Sequence, residues 1–179
     1  MKLYLFGASG SGVTTLGQYL SASLAKPYFD SDTFFWEPSV PPFTVKREPA
    51  ARNAMLEEAL AAHDSWILGG SLVSWDLYPA FDLAVFLYLP PEIRMERLKK
   101  RELERYGDVI YTDPQRNALY NAFIDWAAGY DNPAPNGRRS LQLHETWMKT
   151  LPCPVLEIRG DYSTTERARM IMTKLDHAG

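Results

Sequence analysis

The order of apolar runs and helix-like stretches predicts an α/β fold, a five-stranded parallel sheet with helices on both faces. Three observations lead there. Five short runs are almost continuously apolar, as strands buried on both faces must be. They fall at residues 3–6, 27–29, 66–68, 83–89 and 155–158. Helix-like stretches alternate with them, which favours parallel pairing through crossovers. Finally, the first run passes directly into a glycine-rich turn and then a helical stretch.

Taken in order, the first helix is expected over 14–25, after the glycines, and the second over 48–63, with apolar residues at Ala51, Met55, Leu56 and Leu60. The third, 91–105, opens on proline, whose missing N–H is no loss in a first turn. Two more are expected near 113–128 and 138–151 before the last strand, and 163–177 closes the chain. The proline-rich stretch 37–44 and the segment 130–137, with its Asp-Asn-Pro and Asn-Gly signals, read as ordered loops or lids. A single domain over 1–179 is expected, with a small helical lid-like segment roughly at 106–140.

Composition narrows the functional classes. The 179 residues are 46% hydrophobic and 23% charged, with a net charge of −3, which argues against a general binder of nucleic acid or membrane surfaces. Arg94, Arg97, Lys99, Lys100, Arg101 and Arg105 nevertheless crowd one segment and leave room for a local anion site. The lone Cys153 reads as a buried thiol of a reducing compartment. With neither a membrane-spanning run nor a signal-peptide pattern, a cytoplasmic location is expected.

Residues Gly7-Ala8-Ser9-Gly10-Ser11-Gly12-Val13-Thr14 have the spacing Gly-x4-Gly-x-Thr between an apolar strand and a helix. Glycines let the backbone wrap closely and aim successive N–H groups at phosphate oxygens, and the helix N-terminus adds its dipole. Gly7, Ser9, Gly10, Ser11, Gly12, Val13, Thr14 and Thr15 are therefore the expected nucleotide contacts, with the Thr14 hydroxyl directed at Mg²⁺. The pattern normally carries lysine where this chain has Val13. For charges ~4 Å apart, that loss is worth on the order of a few kcal/mol at an effective dielectric near 20. A glycine-rich turn that merely joins strand to helix is the plainer alternative.

In these features the chain resembles the P-loop small-molecule kinases, particularly the adenylate kinase and shikimate kinase relatives. Besides the loop, Phe29-Asp30-Ser31-Asp32 is similar to the acidic pair ending the second strand of shikimate kinases. Trp66-Ile67-Leu68-Gly69-Gly70 is similar to their third strand, and Arg97-Leu98-Lys99-Lys100-Arg101 to the Arg-Leu-x-x-Arg before the lid of nucleotide kinases. Ile158-Arg159-Gly160-Asp161 looks like their adenine-side loop. The segments Trp126-Ala-Ala-Gly-Tyr-Asp131 and Leu151-Pro-Cys-Pro-Val155 are similar to those of adenylate-kinase-like bacterial sequences that also lack the lysine.

The resemblance implies a three-layer P-loop NTPase fold, ATP and Mg²⁺ as ligands, and a small phosphoryl acceptor, with a nucleoside or nucleotide somewhat ahead. Asp30 and Asp32 are expected at the open edge of the sheet, the place where such folds bind ligands. Asp32 is the candidate to contact the acceptor and take its proton, and Asp30 to hold Mg²⁺ through water. Both can equally be loop-start caps. Arg97 and Arg101, four apart, share a helix face; the resemblance sends Arg97 and Gly160 to the base and Arg101 to the phosphates. Arg138 and Arg139 are similar to lid arginines. One of these four arginines is the candidate replacement for the missing lysine, and the other reading of Arg97 and Arg101 is a solvated stripe paired with Glu96, Glu102 and Glu104. Arg47 and Arg52 can clamp an anionic acceptor or be surface charges. Phe34, Phe35, Trp36, Trp75 and Tyr78 can line a pocket for a flat ring or be core. His63, His144 and His177 have no ligand spacing, and Asp82 reads as structural. The competing functional class is a nucleotide-binding protein, or slow NTP hydrolase, with little phosphotransfer.

Overall fold

The computed structural model describes residues 1–77, 79–132 and 139–176. Five strands form a single parallel sheet: β1 (Lys2–Gly7), β2 (Tyr28–Asp30), β3 (Trp66–Gly69), β4 (Leu83–Tyr88) and β5 (Val155–Arg159), in the spatial order β2-β3-β1-β4-β5. In the central β1, Leu3, Tyr4, Leu5 and Phe6 have no exposed surface. Side chains alternate along a strand, so Leu3 and Leu5 enter one core and Tyr4 and Phe6 the other.

Those two cores define the layers. Helix α1 (Val13–Leu24) and helix α8 (Thr164–Asp176) cover one face, contributing Leu16, Leu20 and Ile171 against Leu3, Leu5 and Ile67. Helix α3 (Pro49–Ala61) and helix α7 (Leu141–Met148) cover the other, with Leu56, Leu60 and Trp147 against Tyr4, Phe6 and Leu68. Each aliphatic side chain so buried is worth roughly 1.5–3 kcal/mol. Tyr4 is tolerated in the core because its hydroxyl accepts the Leu72 N–H at 3.0 Å.

The remaining helices are α2 (Ser31–Phe35), α4 (Pro91–Tyr106), α5 (Val109–Thr112) and α6 (Pro114–Ala128), with a short 3-10 turn at Gly129–Asp131. Local caps explain several starts. Asp113 Oδ1 accepts the Arg116 N–H at 2.7 Å ahead of α6, and Ser140 Oγ accepts the Leu143 N–H at 3.2 Å ahead of α7. The expected helix over 138–151 is shorter than its sequence pattern, since Ser140 caps it and Lys149 ends it. Neither α2 nor α5 is foreseen by periodicity. The expected 14–25 helix stops at Leu24, because Ala25 turns left-handed with φ of 51°.

The proline-rich stretch is a strap rather than a free loop. An antiparallel bridge joins Trp36 to Lys46, and the Glu37 N–H meets the Val45 carbonyl at 2.9 Å. Arg47 closes it, donating to the carbonyls of Phe34 and Trp36 and pairing with Glu37.

Candidate nucleotide and acceptor site

The site begins where β1 ends. Gly10 and Gly12 sit at φ of 84° and 93°, a left-handed conformation that side chains resist, and Gly12 is the N-cap of α1. At Gly7 a Cβ would stand 2.4 Å from the Leu87 carbonyl, so the turn fits only a bare backbone. The Ser11 hydroxyl is buried with no partner among the described residues. Val13 is half-buried, its side chain packed against the core under α1. Thr15 is exposed.

Beside the loop, the Thr14 hydroxyl donates to Asp30 Oδ2 at 3.0 Å, and the Tyr28 hydroxyl donates to the same oxygen at 3.3 Å. Asp30 Oδ1 accepts the Asp32 N–H at 3.0 Å and so starts α2. Asp30 thus acts as a helix cap, and the two aspartates do not lie along one extended chain. Asp30 ends the strand and Asp32 stands in the first turn of a helix, because the Asp30 cap bends the backbone at once. Among the described residues no cluster of three or more His, Cys, Asp or Glu could hold a metal. Two hard oxygens beside a phosphate loop nonetheless fit Mg²⁺, which takes few protein ligands and keeps water and phosphate oxygens for the rest.

Ser9, Thr14, Asp30 and Asp32 open onto one cleft of about 1540 Å³. Asp32 is exposed on the cleft wall, yet surrounding protein raises its pKa above the usual carboxylate value. Burial is the main cause, with Asp30 adding to it and the charges of Arg139 and Arg101 opposing. Phe35, Trp36, Trp75 and Trp126 line the walls, together with Arg52, Arg101, Arg105, Arg116 and Arg139. Arg52 is nearly buried, its guanidinium 4.3 Å from the centre of the Trp75 ring. Arg139 lies 5.9 Å from the Trp126 ring. Phe34 instead belongs to the core. Tyr78, Arg138 and His177 lie outside the described residues.

The two arginines expected to act together diverge. Arg101 lines the cleft and is held by Glu102 at 2.9 Å, whereas Arg97 pairs with Asp161 and is not part of the cleft wall. Gly160 follows β5, with its N–H on the Tyr88 carbonyl at 3.0 Å. Asp82 accepts the Lys2 N–H at 2.7 Å and anchors the chain's start, a structural role.

Three polar groups without a sequence signal complete the surroundings. Arg94 is fully buried, donating to the Ala127 carbonyl at 3.0 Å and pairing with Asp131. His144 bridges the hydroxyls of Ser71 and Tyr130, each at 2.8 Å, and Ser71 lines the cleft. Arg167 of α8 is buried and donates to the Ser11 carbonyl at 2.6 Å. The two arginines stand where the stripe of their helix leads one to expect apolar residues, Arg94 with the buried Leu98 and Arg167 with the buried Ile171.

Fold, glycine loop and cleft define a class, and the comparisons agree with it. A family model described as an AAA domain matches residues 4–109, and the chain belongs to that family. Its five-stranded parallel sheet with flanking helices is that of the P-loop small-molecule kinases. The particular relatives are the uncharacterized protein YqaC of Bacillus subtilis, 41% identical over 176 residues and 97% of each chain, and cytidylate kinase 2 of Borreliella afzelii, 29% identical over 70% of this chain and 80% of that one. Deoxyadenosine kinase from M. mycoides with bound dATP superposes with a TM-score of 0.59 at 16% identity, over 98% of this chain and 100% of that one. Among the described residues no helix is long and apolar enough to cross a membrane.

Proposed function

We propose that the protein is an ATP-dependent phosphotransferase whose acceptor is a nucleoside or nucleotide. The observation that carries this reading is the convergence of the Thr14–Asp30 hydrogen bond, at 3.0 Å, with Asp32 on a single cleft. That cleft is walled by aromatic rings suited to a base and by guanidinium groups suited to phosphate. The names of the cytidylate and deoxyadenosine kinase relatives support an acceptor of this kind.

The glycine loop holds the triphosphate through its N–H groups, and Thr14 with Asp30 holds Mg²⁺, which neutralises charge on the phosphates when bound. Asp32 orients the acceptor hydroxyl and takes its proton. The acceptor oxygen bonds to the γ-phosphorus as the bond to the bridging oxygen breaks, and ADP leaves. Arg101 and Arg139, which line the cleft, face the transferring group. Chemistry of this type rests on positioning and charge neutralisation rather than on a protein nucleophile.

A second reading is favoured by one observation, that Val13 packs in the core and supplies no charge. Under it the protein binds nucleotide, or hydrolyses it slowly, without efficient transfer. The test is calorimetric titration with MgATP, followed by transfer of labelled γ-phosphate to a panel of nucleosides and nucleoside monophosphates. Transfer to at least one acceptor is expected. Tight binding with no transfer across the panel, and no gain in Val13→Lys, overturns the kinase reading; acceptor-independent phosphate release identifies a hydrolase.

A further inference from the structure

Arg167 sits 156 residues from the phosphate loop in sequence and directly against it in space. It is 4% exposed. One guanidinium nitrogen donates to the Ser11 carbonyl at 2.6 Å, and the other to the Gly160 carbonyl at 3.3 Å. The first stands 3.0 Å from where a Cβ on Gly12 would lie. Its Nε is buried with no partner among the described residues. Both hydrogen-bond acceptors are neutral, and among the described residues no carboxylate lies within ion-pair distance of it, the nearby Asp161 being engaged by Arg97.

A buried cation without an anion is costly, and a neighbouring like charge makes it more so. Burial foremost and then the charge of Arg97 lower the Arg167 pKa, with the charge of Asp161 opposing them only in part. Folds retain such a charge when an anion arrives to balance it. Position identifies that anion. The Ser11 carbonyl and the Gly12 N–H belong to one peptide group, and in a phosphate loop such N–H groups point at phosphate oxygens. A guanidinium on the carbonyl polarises the peptide and strengthens its N–H as a donor.

We propose that Arg167 stands in for the missing loop lysine, delivering its positive charge to the bound triphosphate through the Ser11–Gly12 peptide from the outer side of the loop. It is a positioning residue, since it touches the loop and not the nucleotide. The inference rests on the reading that the loop holds a triphosphate. It also explains how Val13 is accommodated, because the charge enters from α8 and position 13 is free to pack.

The test is titration of the full chain with MgATP and, separately, with adenosine, which has no charge to recognise. Arg167→Gln is expected to weaken MgATP by about ten-fold or more, in line with the loss of one charged group, and to leave adenosine nearly unchanged. Arg167→Lys keeps the charge but loses the fork, and is expected to fall between. Adding Val13→Lys to Arg167→Gln is expected to recover most of the MgATP affinity, while Arg169→Gln, on the exposed face of the same helix, behaves as the unmodified protein. Equal weakening of both ligands, or no weakening, overturns the proposal, as does a Val13→Lys gain no larger in the Arg167→Gln background than in the unmodified chain. If Arg167→Gln fails to fold, the same cycle is run with Arg167→Met, which fills the space without the charge and whose failure to respond to Val13→Lys is equally decisive. Failure of the unmodified protein to bind MgATP refutes the loop reading itself, an outcome separate from all of these.

Discussion

Acid should destabilise this protein through His144. The ring is wholly buried on α7, with Nε2 on the Ser71 hydroxyl and Nδ1 on the Tyr130 hydroxyl, and the rings of Phe6 and Phe86 packed against it. Burial foremost, and then the charge of Arg139, lower its pKa from 6.5 to about 3. The unfolded imidazole takes up a proton near 6.5, whereas the folded one stays neutral until about 3. Between those values the unfolded state binds more protons, so stability falls as pH falls. At about 1.4 kcal/mol per unit, the loss from pH 7 to pH 5 is ~2 kcal/mol from this residue alone. Urea denaturation followed by tryptophan fluorescence at pH 7, 6 and 5 measures it. His144→Gln is less stable than the unmodified chain at pH 7, because the bridge between Ser71 and Tyr130 is damaged. Its stability should nonetheless decline between pH 7 and pH 5 by ~2 kcal/mol less than that of the unmodified protein. Other titrating groups are common to both and cancel in the difference. Identical declines in the two proteins refute the assignment of a neutral buried His144.

Two further outcomes follow from close contacts at the site. In Gly17→Ala the new Cβ would lie 2.1 Å from the Tyr28 ring, which is wedged between Gly17 and Gly69; a loss of about 1–3 kcal/mol is expected from overpacking, and unchanged stability by urea denaturation contradicts that packing. Asp32→Asn should retain MgATP affinity while phosphoryl transfer falls by roughly 10²–10⁴-fold, the usual worth of a general base. In the unmodified protein the rising limb of any transfer rate with pH is expected above the ordinary carboxylate range, because burial raises the Asp32 pKa. Loss of nucleotide binding in Asp32→Asn, with transfer reduced only in proportion, places that residue in the nucleotide hold instead.

The parts of this molecule legible in the sequence are those where one physical demand dominates a short window. A strand buried on both faces has to be apolar throughout, so residues 3–6 and 66–68 announce β1 and β3 directly. The glycine loop is legible for a similar reason, since Gly7, Gly10 and Gly12 meet steric or backbone demands that other residues cannot meet without strain. Helix α2 is illegible because Ser31–Phe35 is too short to show a period and depends on the Asp30 cap. The same cap separates Asp30 from Asp32, a pair that extended geometry would have placed side by side. The divergence of Arg97 and Arg101 was hidden for another reason. Spacing along a helix fixes a common face but not the partners waiting there, and Asp161 and Glu102 draw the two side chains apart.

Two buried guanidinium groups approach the phosphate loop from behind, and the difference between them bears on what the missing lysine means. Arg94 reaches the Ser9 carbonyl only at 3.4 Å, a weak contact, and its charge is matched by Asp131. It therefore adds little net field at the loop and ties the start of α4 to the end of α6. Arg167 makes the shorter bond, to Ser11, and among the described residues no carboxylate lies within ion-pair distance of it, the nearby Asp161 being held by Arg97. A lysine at position 13 would place its charge on a flexible stem in the cleft, where water screens it whenever nucleotide is absent. A guanidinium fixed under the loop keeps its charge at one place in a low-dielectric setting, where electrostatic effects on the adjacent peptide are larger. With that charge supplied from α8, Val13 adds to the core without leaving the loop electrically neutral. On the proposed reading, the loss of the lysine then bears most heavily on the γ-phosphate during transfer, the end of the nucleotide proposed to meet Arg101 and Arg139, which line the cleft.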